Sequence, residues 1–197
     1  MKKKISVTGF WLAVLVLLAV FASTPIWADA VFRGQILMEY VGQVINGSPA
    51  PTSSNQFGNL QAVSGVDPSL QLTFYTEAES VKVVANGPLK IIDRTGTTTI
   101  YLTSAPGDFG NPDSFRSGTP VQVSTLGQQV IVDTSTGAFS VVNKNTITSA
   151  TEFLSGGKEV QLGETGQRFR TVLNGHLNTP GMSPTGWFGG YAVRTKD

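Results

Sequence analysis

Hydrophobic and polar residues alternate with a period of two over long stretches of this chain. Between Phe32 and Val44 the even positions are apolar or glycine, and most odd positions are polar. This is the pattern of a half-buried β-strand, since a helix needs apolar residues three to four positions apart. The alternation predicts that four side chains face the core and three do not: Phe32, Ile36, Met38 and Tyr40 inward, and Arg33, Gln35 and Glu39 outward.

A second long alternation runs from Leu70 to Ala85 and changes phase part of the way along. Leu72 and Phe74 share one parity, whereas Val81, Val83 and Ala85 share the other. One extra residue in a strand flips every later side chain to the opposite face. We therefore predict a β-bulge or a sharp bend near Glu79 and Ser80.

Two segments that begin with aspartate and end with glycine predict turns, Asp93–Gly96 and Asp133–Gly137. Aspartate can accept hydrogen bonds from the turn backbone, and glycine can adopt the left-handed conformation. The first turn would separate a strand at Leu89–Ile92 from another at Thr98–Leu102. A longer stretch, residues 104–119, has the composition of a loop, and we expect it either to form a functional site or, more simply, to cap one end of the fold.

Turn signals also bound a further set of short apolar segments, and no ten-residue stretch after residue 30 has helical periodicity. These strands are predicted at Phe57–Val63, Pro120–Thr125, Gln129–Val132, Ala138–Val142, Ile147–Leu154, Lys158–Gly163, Arg168–Leu177 and Gly186–Arg194. Such a succession predicts an all-β fold. Long strands that contain glycine favour a single antiparallel β-barrel, with a β-sandwich as the alternative.

The first thirty residues differ from the rest and have the layout of a secretory signal peptide. Three lysines precede an apolar run, which ends before the small-residue triplet Ala28-Asp29-Ala30. This layout predicts cleavage after Ala30. The apolar run is short for a membrane span of about 20 residues, so we expect no stable span once the signal is removed. The prediction is thus a signal peptide over residues 1–30, a single all-β domain over residues 31–197, and a secreted, periplasmic or cell-envelope protein.

Charge and cysteine content narrow the classes of partner and source. The chain has 14 basic and 13 acidic residues, and cleavage would leave 11 and 12, a formal net charge of −1. A nearly neutral chain lacks the basic surface that binds nucleic acid. Cysteine is absent, so no disulfide or thiolate metal site can form. An exported domain without disulfides is more usual for a bacterial protein.

Polar residues that carry chemistry are few. His176 is the only histidine and falls on the polar face of a predicted strand, without a nucleophile motif nearby. Glu77 and Glu79 would project from one face about 6.6 Å apart, near the carboxyl spacing of inverting glycosidases, but a solvated strand face has the same pattern. A cluster in the loop at residues 104–119 has side-chain oxygens that could bind Ca²⁺ but lacks the EF-hand spacing, and such residues are also ordinary turn formers: Asp108, Asn111, Asp113 and Ser114. We therefore assign no catalytic residue, no metal site and no cofactor.

The densest aromatic cluster after the signal segment is Gly186–Tyr191. On a strand, Trp187 and Tyr191 share one face, and aromatic rings beside glycines can stack against a sugar or another planar ligand. The same rings also occur as core residues of a closing strand. Trp187 and Tyr191 are the predicted binding residues.

In the pattern of its long, glycine-bearing strands, the chain resembles the antiparallel barrels of the allene oxide cyclase and dirigent type, or of lipocalins. No active-site residue of those families carries over, so the resemblance implies a fold and nothing more. We expect a non-enzymatic extracytoplasmic binding or structural module. The alternative is an enzyme acting on a glycan or a small apolar ligand, as an acid/base hydrolase or an allene-oxide-cyclase-like barrel. An enzyme would bring polar groups with shifted pKa values together in a pocket.

Overall fold

Eight antiparallel strands close into a β-barrel in the computed structural model, which describes residues 36–47 and 52–195. Around the barrel the order is β1-β10-β9-β6-β5-β4-β3-β2, and a short hairpin of β7 and β8 stands apart. The strands are β1 (Ile36–Asn46), β2 (Ser53–Gln61), β3 (Gln71–Asn86), β4 (Leu89–Thr103), β5 (Thr119–Asp133), β6 (Ala138–Ala150), β7 (Phe153–Ser155), β8 (Lys158–Val160), β9 (Arg168–Leu177) and β10 (Gly186–Arg194). The predicted all-β barrel is confirmed, and the sandwich alternative is excluded.

The alternation in the first strand has the predicted orientation where the structure describes it. Met38 and Tyr40 are buried and Glu39 is exposed. Leu37 is buried as well, because the pairing of β1 with β10 shifts register at this point. The signal segment 1–30 and the predicted orientations of four side chains lie outside what the structure describes: Phe32, Arg33, Gln35 and Ile36.

The phase change in β3 is confirmed as a bulge. Its pairing with β4 shifts register between Ser80 and Lys82. β2 reaches only as far as Glu79 along β3, so beyond the bulge β3 pairs with β4 alone and extends past the start of β2. Val83 and Val84 in this extension are exposed.

The predicted turn at Asp93–Gly96 is wrong. β4 runs without interruption from Leu89 to Thr103 and pairs with β3 and β5 across this segment. Gly96 is needed for close approach and not for a turn, because a Cβ there would lie 2.0 Å from the carbonyl oxygen of Glu77. The predicted turn at Asp133–Gly137 does exist between β5 and β6, and Gly137 has a φ of +77°.

One end of the barrel is closed by packed side chains. We call this the closed end; β2, β4 and β6 finish there. The connection after β2 and the β7–β8 hairpin add apolar groups to the barrel core at this end. They are held in part by the backbone nitrogen of Asp67, which donates to Ser155 Oγ at 2.7 Å. Three of the apolar side chains there are fully or almost fully buried: Phe153, Val160 and Leu162.

The segment between β4 and β5 covers the outer wall of the barrel instead of capping an end. It contains a 3-10 helix, Pro112–Arg116, and its Phe115 is completely buried. The Phe115 ring packs at 5.2 Å from Phe57 and 5.0 Å from Phe109. Phe57 and Tyr75 point outward from their strands yet are buried, because this outer-wall segment, residues 104–118, lies over them.

Candidate functional site

A cavity of about 620 Å³ lies inside the barrel at the end opposite the closed end. We call this the open end; β1, β5 and β9 finish there, and the connection between β9 and β10 contributes to the rim. Most of the wall is apolar and comes from inward-facing strand positions. These wall residues are Val44, Ile92, Val130, Val132, Phe139, Val141, Leu173, Leu177 and Phe188. The volume falls in the range of about 300–1,000 Å³ that is typical of small-molecule sites.

Two glycines leave room inside the barrel for the rings of Phe188 and Phe74. Gly42 in β1 stands opposite Gly58 in β2. A Cβ on Gly42 would come within 2.7 Å of the Phe188 ring, and one on Gly58 within 2.9 Å of the Phe74 ring. Both rings therefore occupy space that side chains at these positions would fill. Phe188 forms part of the cavity wall, while Phe74 belongs to the packed core below it.

A layer of polar side chains forms the floor between the cavity and the packed core. Arg94 donates from Nη1 to Gln128 Oε1 at 3.1 Å, and Gln128 Nε2 donates to Asn143 Oδ1 at 2.9 Å. Gln56 Nε2 donates to the same Gln128 oxygen at 3.1 Å. All four side chains are buried. The network holds the guanidinium in place, because Gln128, which accepts from Arg94, is itself held by Gln56 and Asn143.

Arg94 is only 4 % exposed and has no carboxylate partner in the part of the chain that the structure describes. Its other two hydrogen bonds go from Nε to Ser80 Oγ at 3.3 Å and from Nη2 to Asn46 Oδ1 at 3.2 Å. Burial lowers the pKa of Arg94 to about 10, so the group still carries its charge at neutral pH. A buried cation held only by neutral acceptors is uncommon, because taking it out of water costs several kcal/mol.

The predicted binding residues lie on the other side of the sheet from this cavity. Trp187 and Tyr191 point outward from β10 and are 48 % and 39 % exposed. The Trp187 ring packs 5.9 Å from Phe109 of the outer-wall segment. The neighbouring aromatic, Phe188, faces inward and lines the cavity. Ligand binding by Trp187 and Tyr191 stays a prediction.

The remaining candidates for chemistry are exposed and do not line the cavity. His176 lies on the outer face of β9, opposite Trp187. Glu77 and Glu79 are exposed on β3, and Glu77 Oε1 lies 3.8 Å from Arg116 Nη1.

In the loop cluster, two carboxylates serve the loop itself. Asp108 Oδ1 accepts from the Gly110 nitrogen at 2.8 Å, and Asp113 Oδ1 accepts from Arg116 Nη2 at 2.6 Å. Within residues 36–47 and 52–195, no three acidic or histidine side chains lie close enough to hold a metal ion.

Sequence reasoning missed Arg94, the residue with the most unusual environment in the site, because it assigned this arginine to a turn. A usable signal was present. The positions Ile92, Arg94, Gly96, Thr98 and Ile100 continue a single period-two register through the supposed turn. Had that register been followed, it would have predicted one strand with an arginine on its inner face.

Comparisons with known proteins found no relative of this chain. The chain matches no protein-family model, and neither the curated proteins nor the solved structures include a significant match. None of the helical residues described here forms a segment long and apolar enough to cross a bilayer.

Proposed function

We propose that this protein is a binding module that takes a small apolar ligand into the open end of its barrel. The observation that carries the proposal is the cavity, whose volume of about 620 Å³ is enclosed mainly by valine, leucine, isoleucine and phenylalanine side chains. Burying an apolar ligand against such walls is favourable by about 25 cal/mol per Å² removed from water. The described lining includes no aspartate, glutamate or histidine, the side chains that most often act as general acid or base, and this favours uptake of a ligand over its chemical conversion.

A pair of adjacent substitutions tests this proposal. Val130 faces the cavity near the middle of the wall, where it pairs with Ile92 and Val141, while Ile131 faces outward. Val130→Trp should place an indole ring in the middle of the cavity and weaken binding of N-phenylnaphthylamine, a neutral apolar fluorophore, by about tenfold or more, a loss of about 1.4 kcal/mol. Ile131→Trp makes the same change on the opposite face and should leave binding unaltered.

Circular dichroism melting curves of both variants establish that the barrel is intact. Val130→Phe, a smaller change, serves if the tryptophan disturbs folding. Equal affinities for the fluorophore in the two folded variants would contradict binding inside the barrel. Failure of the unaltered protein to bind any neutral apolar probe would contradict the proposed function itself.

We also propose that the protein works outside the cytoplasm, on the strength of the signal-peptide pattern in residues 1–30. Val31 should then be the first residue of the mature protein. N-terminal sequencing of the protein recovered from the envelope or the medium checks this directly. A sequence that begins at Met1 would contradict both cleavage and the assigned compartment.

A further inference from the structure

The floor of the cavity carries a positive charge that no acidic side chain among the described residues neutralises. In the described chain, the residues lining the cavity include two cations, Arg94 and Lys90, and no aspartate or glutamate. The segment at residues 48–51, which follows the rim residue Gly47, has the sequence Ser-Pro-Ala-Pro and contains no acid either. The electrostatic potential inside the cavity therefore favours an anion.

The hydrogen bonds of Arg94 leave capacity for that anion. A guanidinium has five N–H donors. Three are used, one each by Ser80, Gln128 and Asn46, so each terminal nitrogen keeps one N–H without an acceptor among the described residues. A carboxylate accepts two parallel N–H bonds from a guanidinium. The number of unused donors matches what one carboxylate accepts.

The shape of the charge distribution selects the kind of anion. Arg94 lies at the floor, and Lys90 stands four residues nearer the rim on β4, a distance of about 13 Å along the strand. Between these levels the wall is apolar, with Ile92, Val130 and Val141 at intermediate height. An acceptable ligand thus has a single charged end and an apolar body. A phosphate monoester, with a charge of about −1.5 to −2, would exceed the one buried cation.

Resting on the proposed function, we infer that the ligand is an amphipathic monocarboxylic acid that enters with its carboxylate first and pairs with Arg94. The apolar body fills the cavity up to the rim. Pairing would give the buried cation a negative counter-charge that residues 36–47 and 52–195 do not supply, and a neutral ligand lacks this source of affinity.

Titration calorimetry with two probes of equal chain length tests this inference, at concentrations below micelle formation. Dodecanoate should bind the unaltered protein about tenfold or more tightly than dodecanol, a difference of about 1.4 kcal/mol. In Arg94→Gln this preference should disappear. Lys90→Gln removes one positive charge from the same cavity and is the matched control, which should keep the preference.

The outcomes separate this inference from the proposed function. If dodecanol and dodecanoate bind the unaltered protein equally well, the carboxylate inference is wrong while the apolar binding site stands. If neither probe binds, the proposed function fails with it. A preference that survives in folded Arg94→Gln but is lost in Lys90→Gln would place the carboxylate at the rim and overturn the assignment. If Arg94→Gln does not fold, the unaltered protein still shows whether a carboxylate is preferred, and Lys90→Gln shows whether that preference depends on the rim cation or remains with Arg94.

Discussion

Replacing Gly58 by alanine tests whether close strand approach, and not backbone flexibility, requires glycine in this barrel. Gly58 lies in β2 opposite Gly42 of β1. A Cβ at this position would stand 2.0 Å from the carbonyl oxygen of Val41 and 2.7 Å from the Cα of Gly42. Both obstacles are backbone atoms, so no side-chain rotation can relieve them.

The expected cost follows from that geometry. Restoring an ordinary contact of 3.4 Å requires β1 and β2 to separate locally by about 1.4 Å. Hydrogen bonds between strands do not survive such a displacement, since they weaken steeply beyond about 3.2 Å. Overpacking costs about 1–3 kcal/mol and the loss of about two hydrogen bonds adds about 1 kcal/mol each, so we expect Gly58→Ala to destabilise the protein by about 3–5 kcal/mol.

Gly127→Ala is the matched control, because the two substitutions change the unfolded chain in the same way. Gly127 lies on the outer face of β5, and an added Cβ would have no atom within 4 Å. We expect the free energy of unfolding of Gly127→Ala to lie within about 0.5 kcal/mol of that of the unaltered protein, or to exceed it by about 0.4–1 kcal/mol. Urea unfolding followed by circular dichroism gives both values. A difference of less than about 1 kcal/mol between the two variants would refute the steric reasoning.

Three further outcomes are expected. Phe115→Ala should cost about 3–5 kcal/mol, because that ring is completely buried between the outer-wall segment and the barrel, whereas Phe109→Ala at the partly exposed edge should cost clearly less; equal losses in urea unfolding would contradict this packing. The pKa of Asp133 should lie below its ordinary value, because its carboxylate accepts hydrogen bonds from the Ser135 hydroxyl and backbone nitrogen. The resulting stabilisation of the fold is present above pH about 4 and is lost as the pH falls through the folded-state pKa. An NMR titration in which Ser135→Ala leaves the pKa of Asp133 unmoved would contradict this cause. Tyr191→Ala should leave binding of the neutral fluorophore within about twofold, because Tyr191 lies on the outer face; a tenfold loss, about 1.4 kcal/mol, would place the ligand outside the barrel.

Local alternation was enough to predict the fold class, and the limits of β9 and β10 match their predicted bounds at both ends. The failure at Asp93–Gly96 has a definite cause. Aspartate followed by glycine has the same composition whether the glycine turns the chain, as at Gly137, or admits a neighbouring strand, as at Gly96. Only the neighbouring strands distinguish the two cases, and they are remote in sequence.

The candidate site could not be predicted to the same extent, because it depends on which residues of different strands lie at one height in the barrel. Gln56, Arg94, Gln128 and Asn143 come from four strands, and each looks like an ordinary strand polar residue in sequence. The register between strands brings them into one layer. By contrast, Trp187 was conspicuous in the sequence because of its size, which carries no information about the face it occupies.

The seam between β1 and β10 has a consequence for how the barrel forms. These strands are the first and last that the structure describes, and they pair along their length, with Met38 opposite Ala192. Contacts between residues far apart in sequence form late and slow the folding of β-rich proteins. Until β10 has been synthesised, β1 has an unpaired edge that can associate with other chains. Trp187 stands on this seam opposite Gln43 and is the only tryptophan after residue 30, so its fluorescence reports the closing step during refolding.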